Sequence, residues 1–267
     1  MEWLSLVLRW AHVFAGILWV GTTYYFTWLD GRLTELERIA SANPRASEAP
    51  EKHIWMVHSG GFYLVEKQRI PAVMPGKLHW FRWEAALTWL TGLLLFGLVY
   101  YHGRLLVPTE DARLGNGAAV GFSVGLLAFG WLVYDLVWKS KLGSNPTVGL
   151  VLCLLLLLGL IYGLFYYFAP RAACLQLGAI FGTIMTANVW MRILPAQRRM
   201  VRALTEGRAP DLAESARAKL RSKHNTFIVV PVVFLMISNH YPVTYNWVIV
   251  SLLVLVGFIA AGFVRRA

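Results

Sequence analysis

Residues 147–168 read TVGLVLCLLLLLGLIYGLFYYF, a stretch without a single charged side chain. A helix needs about 20 such residues to cross the hydrocarbon of a bilayer. A run this long is therefore read as a membrane span and not as a buried core helix. Six more segments read the same way: about 4–28, 80–101, 117–138, 172–193, 225–240 and 246–264. The stretch 225–240 is the weakest, being short, interrupted by Pro231 and preceded by a polar amphipathic run.

Composition points the same way. Of the 267 residues, 57% are hydrophobic and 15% charged, where a soluble domain carries roughly 25% charged residues. This excludes a soluble enzyme, a disordered chain and a disulfide scaffold. The fold expected is an all-α polytopic membrane protein. It is a bundle of about seven transmembrane helices with short amphipathic cytoplasmic helices, forming one domain over 1–267. The two cysteines, Cys153 and Cys174, lie in apolar segments, and no C-x-x-C occurs. Neither a ribbon-type zinc site nor covalent c-type haem is encoded. The first apolar run ends in Tyr24–Tyr25–Phe26 with no small-residue cleavage site, so it is expected to stay in the membrane as the first helix.

The net charge of +11 is explained by topology. Twenty of the 25 Lys and Arg residues fall in loops 29–78, 139–146 and 192–224 or at the C-terminus, all on one side of the seven spans. Arg9, Arg104, Arg113 and Arg171 fall on the other, and Arg82 lies within a span. The positive-inside rule then puts the N-terminus outside and the C-terminus in the cytoplasm. The basic excess is an orientation device, and nucleic acid is not an expected partner.

Two cytoplasmic loops stand out, 29–79 and 194–224. Residues 31–40 and 196–222 read as short amphipathic helices, and 41–50 (SANPRASEAP) as a turn-rich stretch. Residues 53–76 open HIWMVHSGGFYLVEK. They are too aromatic for a disordered linker and are expected to pack under the bundle.

Ionisable side chains at membrane depth are costly and point to function. Seven histidines are present. His12 lies a third of the way into the first helix, sharing its face with Gly16, Trp19, Thr23 and Phe26. A glycine one turn from a histidine leaves flat space for a haem whose iron the imidazole ligates. The competing reading is an interhelical hydrogen bond, with Gly16 and Gly21 allowing close packing. His224 and His240 are separated by about 24 Å of helix, so they cannot share an ion. His12 with His240 or His102 would make an outer site, and His58, His79 and His224 an inner one. His53 and His102 read as wet interfacial residues. The inner face also carries His79–Trp80–Phe81–Arg82–Trp83–Glu84, Asp135, Asn188, Arg192 and Asn225. Buried carboxylates beside cations can accept protons. Arginine forks at 82 and 192 can hold a planar anion. An ion-paired helix-end network is the alternative. The remaining Trp and Tyr residues read as interfacial belts, with Trp80 and Trp83 free to stack on a ligand.

The strings RWAHVFAGILWVGTTYYFTWLD (9–30), VHSGGFYLVEK (57–67), LHWFRWEAALTWLTG (78–92), GWLVYDL (130–136), GTIMTANVW (182–190), KHN (223–225) and LMISNHYP (235–242) resemble the membrane domain of the bacterial cytochrome c-linked urate oxidase family. The pattern His12, Gly16, Trp19 also occurs in membrane haem proteins such as the haem-dependent protoporphyrinogen oxidase. The urate oxidase resemblance implies oxidation of urate to 5-hydroxyisourate on the cytoplasmic side of the bacterial inner membrane. Electrons leave to a c-type cytochrome and not as hydrogen peroxide. Family members carry that cytochrome at the C-terminus; this sequence holds none, so a separate c-type cytochrome is the partner expected. Its matched positions are His12, His58, His79, Glu84, Asn188, His224 and His240. With them, the expected catalytic set is His79, Glu84 and His58. The expected substrate set is Arg82, Trp83, Asn188, Arg192 and Asn225. Haem b is the expected cofactor, with His12 and His240 as iron ligands and His224 and His79 as further cofactor-binding residues. Three other functions fit the same histidines: a haem-binding porphyrinogen oxidase, a cytochrome b-like relay, and a metal or small-molecule permease.

Overall fold

Seven helices among the described residues are long and apolar enough to cross a membrane: α1 (Glu2–Ala42), α2 (Trp83–His102), α3 (Asn116–Lys139), α4 (Pro146–Tyr167), α5 (Pro170–Thr205), α6 (Leu212–Ser238) and α7 (Trp247–Val264). The computed structural model describes residues 1–42, 53–68, 70–71, 73–110, 112–241 and 245–265. The turn-rich stretch 41–50 falls, from residue 43 on, outside them. Architecture is all-α apart from one hairpin, as the apolar runs require.

Helix ends follow local chemistry. Pro146 and Pro170 each sit in a first turn, where a missing N–H costs nothing. Asn145 caps α4 by accepting from Thr147 N at 3.0 Å and Val148 N at 3.3 Å. Asp211 and Asn246 cap α6 and α7 in the same way.

Three helices run further than the apolar segments suggest. Residues 31–40 are not a separate helix but continue α1 without a break. Nothing between Trp28 and Ala42 ends a helix except Gly31, and Arg32 pairs with Glu35 one turn on. The stretch 196–222 is likewise two pieces. Its first part prolongs α5 to Thr205, and its second opens α6. Between them Gly207 adopts φ +68°. Its N–H bonds Leu204 O at 3.1 Å and that of Arg208 bonds Ala203 O at 2.8 Å, the paired bonds of a Schellman stop. Helix α5 passes Pro195 because Val189–Ile193 are wound as a wider π turn just before it. The segment at 225–240 proves to be the apolar half of a 27-residue helix that holds Pro231 inside it.

Helix α5 is the centre of the bundle, flanked by α2, α3, α4 and α6. Of its most apolar stretch 67% is buried, against 6% for α1. Helix α1 rests mainly on α2 and shows its other side to the surroundings. Residues 53–66 form an antiparallel hairpin, β1 (His53–His58) and β2 (Gly61–Glu66). Ser59 and Gly60 both have positive φ, as a two-residue hairpin turn needs. Met56 meets the Tyr25 hydroxyl at 3.7 Å, and Lys67 Nζ bonds Asp30 at 2.5 Å. The hairpin thus hangs on the end of α1.

Two glycines give opposite expectations. A Cβ on Gly143, in the tight turn between α3 and α4, would lie 2.5 Å from Val137 O and 2.7 Å from Trp138 Cα. Backbone cannot step aside, so Gly143→Ala is expected to cost about 1–3 kcal/mol. A Cβ on Gly31 would meet nothing within 4 Å. There Gly31→Ala should add up to about 1 kcal/mol by stiffening a helix interior. Thermal unfolding of the two variants in one detergent checks both signs.

Candidate functional site

Trp131, Tyr134, Asp135, Trp138 and Lys139 recur on α3 at spacings that put them on one face. That face meets α5 and α6 at the end of the bundle rich in Lys and Arg. Asp135 is the hub. Arg192 grips it bidentately, Nε at 2.8 Å from Oδ1 and Nη2 on Oδ2. Arg221 Nη2 donates to Oδ1 at 2.9 Å, and Lys139 Nζ lies 3.2 Å from Oδ2. Asp135 and Arg221 are both buried. Three cations surround one carboxylate, so the cluster carries surplus positive charge. The Arg192 guanidinium lies 5.6 Å from the Trp131 ring and that of Arg221 4.9 Å from Tyr134.

A neutral network continues from it. Asn188 Nδ2 donates to Tyr134 Oη and to Asn225 Oδ1, each at 3.0 Å. Asn225 Nδ2 donates to Met185 O at 3.0 Å. Tyr134 Oη lies 2.7 Å from His224 Nδ1. Which of the two donates depends on the tautomer of the imidazole. The His224 ring rests 4.2 Å from Trp138. Arg221 Nη1, Asn188 Oδ1 and Trp131 Nε1 are buried with no partner.

A second group sits where α2 begins, against the π turn of α5. Arg82 lies 5.4 Å from the Trp83 ring and 6.0 Å from that of Trp190, and the two indoles meet edge to face at 5.8 Å. Among the described residues no carboxylate is within ion-pair distance of Arg82. Trp190 Nε1 is buried and unpartnered. Trp83 is exposed, Glu84 half-buried in the first turn of α2. His79 is exposed, its ring 4.5 Å from Phe81, which meets Phe26 of α1 at 4.9 Å. His58 is exposed at the hairpin turn.

The expected inner site is therefore split. Asn188, Arg192, Asn225 and His224 come together around Tyr134 and Asp135. Arg82, Trp83 and Glu84 gather beside Trp190. The π turn Val189–Ile193 connects the two groups, since it carries Trp190 toward one and Arg192 toward the other. Such turns recur at functional sites. Arg221, Tyr134, Trp138, Lys139 and Trp190 were not expected as site residues. The α3 periodicity and the shared face of Arg221, His224 and Asn225 on α6 are the signals that mark them.

His12 lies toward the opposite end. Its Nδ1 is 2.9 Å from Thr88 O and 3.3 Å from Thr91 Oγ1. A carbonyl only accepts, so Nδ1 carries the proton and Nε2 keeps the lone pair. That is the arrangement of a metal-binding imidazole held by a backbone carbonyl, and it fits a single axial haem ligand. The glycine that makes room for the imidazole itself is Gly92 of α2, not Gly16. A Cβ on Gly92 would come within 2.8 Å of His12 Cε1, whereas one on Gly16 would meet only Thr88 Cγ2 at 3.9 Å. His240 is exposed just past α6, beside Asn239, whose Nδ2 donates to Tyr100 Oη at 2.6 Å. Among the described residues no three His, Cys, Asp or Glu side chains come together to hold a metal ion.

A protein-family model described as urate oxidase N-terminal matches residues 1–266. No curated protein and no solved structure matches the chain. The family match covers every helix and both cation-rich groups, and on that extent the chain belongs to the urate oxidase N-terminal family.

Proposed function

We propose that this protein is a membrane-embedded oxidoreductase that takes urate at the Lys- and Arg-rich end of the bundle and delivers its electrons to a separate c-type cytochrome at the other. Family membership supports urate-related redox chemistry. The observation that carries the location is Arg82, a guanidinium with no carboxylate partner among the described residues, flanked by two indoles. Urate is a planar anion; a fork of N–H donors fits its edge and indole faces fit its plane. The unpartnered Trp190 N–H is a donor for one of its carbonyl oxygens.

Oxidation of urate to 5-hydroxyisourate adds the oxygen of one water and releases two protons and two electrons. Glu84, without an ion-pair partner among the described residues, is the proton acceptor nearest Arg82 in the chain, with His79 at the outer edge. The charge asymmetry of the loops supports a cytoplasmic location for this end, in a bacterial inner membrane, with the N-terminus periplasmic. His12 Nε2 is the nitrogen that would hold a b-type haem, with Thr88 fixing its ring and Gly92 leaving it room. When bound, haem supplies one-electron steps between a two-electron donor and a one-electron acceptor.

Optical spectra of the purified protein, oxidised, dithionite-reduced and then mixed with urate without oxygen, test the reading. Sharp b-type bands that urate reduces are expected. Bands that only dithionite reduces would remove urate as the donor. Gly92→Ala, which displaces the His12 ring at a cost of about 1–3 kcal/mol, is expected to lose most of its haem while Gly16→Ala keeps it. Equal haem content in the two would remove His12 as the ligand.

A further inference from the structure

Residues paired across the hairpin point to the same side of it, so Trp55, Val57, Phe62 and Leu64 share one face. These side chains are 59%, 69%, 77% and 55% exposed. The other face carries Met56, which touches Tyr25 of α1. An isolated two-stranded hairpin is marginal in water, and four large apolar groups left bare on it call for a cover.

Position says what the cover is. Lys67 is tied to Asp30, the first acid after the apolar run of α1, and Met56 to Tyr25. Five residues of helix separate those anchors, about 7.5 Å along the axis. The hairpin therefore reaches from the polar layer inward by more than a helical turn. At the same level α1 exposes Tyr25, Phe26 and Trp28, and Phe81 stands exposed beside Phe26. Trp, Tyr and Phe at this depth form the belt that sits among lipid headgroups. Unpaired strand edges exclude the hairpin from the hydrocarbon centre, and its apolar face suits the boundary between headgroups and acyl chains.

We infer that the hairpin is an interfacial anchor, its Trp55, Val57, Phe62 and Leu64 face dipping into the lipid leaflet at the Lys- and Arg-rich end. This rests on the reading of the seven helices as membrane spans. The anchor fixes the level of Arg82 and Glu84 against the membrane surface, because Phe81 packs on the same turn of α1 that holds the hairpin.

Nitroxide labels on the full chain in phosphatidylcholine–phosphatidylglycerol vesicles test it. Phe62→Cys, Leu155→Cys in α4 and Arg208→Cys between α5 and α6 are each made with Cys153→Ala and Cys174→Ala. Val57→Cys, on the same hairpin face, replaces Phe62→Cys should that variant not fold. Collisions with oxygen and with a water-soluble nickel chelate give depth. The hairpin label is expected to favour oxygen over nickel, at a depth between the deep label at 155 and the water-exposed label at 208. A nickel-accessible hairpin label with a protected label at 155 would overturn the anchor and leave the spans standing. Nickel access at 155 as well would overturn the spans. A hairpin label shielded from both reagents would mean a protein partner or a second copy covers the face, and would also overturn the anchor.

Discussion

Asp135→Ala is expected to destabilise the protein by about 3–5 kcal/mol, the cost of leaving a buried charge without its partner. The reason is the imbalance of the cluster. Among the described residues Asp135 is the one carboxylate paired with Arg192, Arg221 and Lys139. Its loss strands the buried Arg221 guanidinium and sets three cations against one another. Arg221→Met removes one cation of three and leaves Asp135 paired with the other two, so it should cost clearly less. Replacing both, Asp135→Leu with Arg221→Met, should recover part of the loss, since apolar substitutes for a buried pair are often neutral. The exposed pair Arg199–Glu214 sets the scale for comparison; breaking it should cost no more than about 1 kcal/mol. Thermal unfolding of the four variants in one detergent checks the order. An Asp135→Ala protein no less stable than Arg221→Met would show that the carboxylate is not the hub.

How far the sequence could have shown this depends on separation along the chain. The long apolar helices were legible because an uncharged run of about 20 residues has few other homes, and seven helices long and apolar enough to cross a membrane are present among the described residues. Their true ends were not, because α1 and α5 continue as amphipathic helices whose polarity looks like loop. The hairpin at 53–66 escaped notice as a strand pair even though His58–Ser59–Gly60–Gly61 carries a turn signal; its alternation is blurred because both faces are apolar. Arg82, Trp83 and Glu84 were legible as a group because they are consecutive. Arg221 was not. It reaches Asp135 across 86 residues, and only the packing of α3 and α6 on α5 brings them together. Counting it among loop charges was silent about its burial. Gly92 was hidden for the same reason: the residue that makes room for His12 is on another helix.

Arg82→Gln and Glu84→Gln should separate binding from chemistry. In the proposed site Arg82 would meet the substrate as an anion in the ground state, so Arg82→Gln is expected to act mainly on KM. A hydrogen bond to a charged group contributes about 1.5–3 kcal/mol, which predicts a loss of about 10- to 150-fold in kcat/KM. Arg82→Lys keeps the charge but not the planar fork, so it should fall between wild type and Arg82→Gln. Glu84 is assigned the proton, so Glu84→Gln should lower kcat by about 10²–10⁴-fold with little change in KM. The glutamine keeps the size of the side chain and the backbone acceptor that Thr88 uses at 2.6 Å, so the helix start should survive. Steady-state urate oxidation with an artificial electron acceptor measures both constants without the cytochrome partner. A KM effect at Arg82 with none on kcat at Glu84 would leave the anion site intact and move the base to His79, the next proton acceptor on the same segment. Normal constants in both variants would shift the substrate to the Asp135 cluster, where Arg221 Nη1, Asn188 Oδ1 and Trp131 Nε1 are unpartnered.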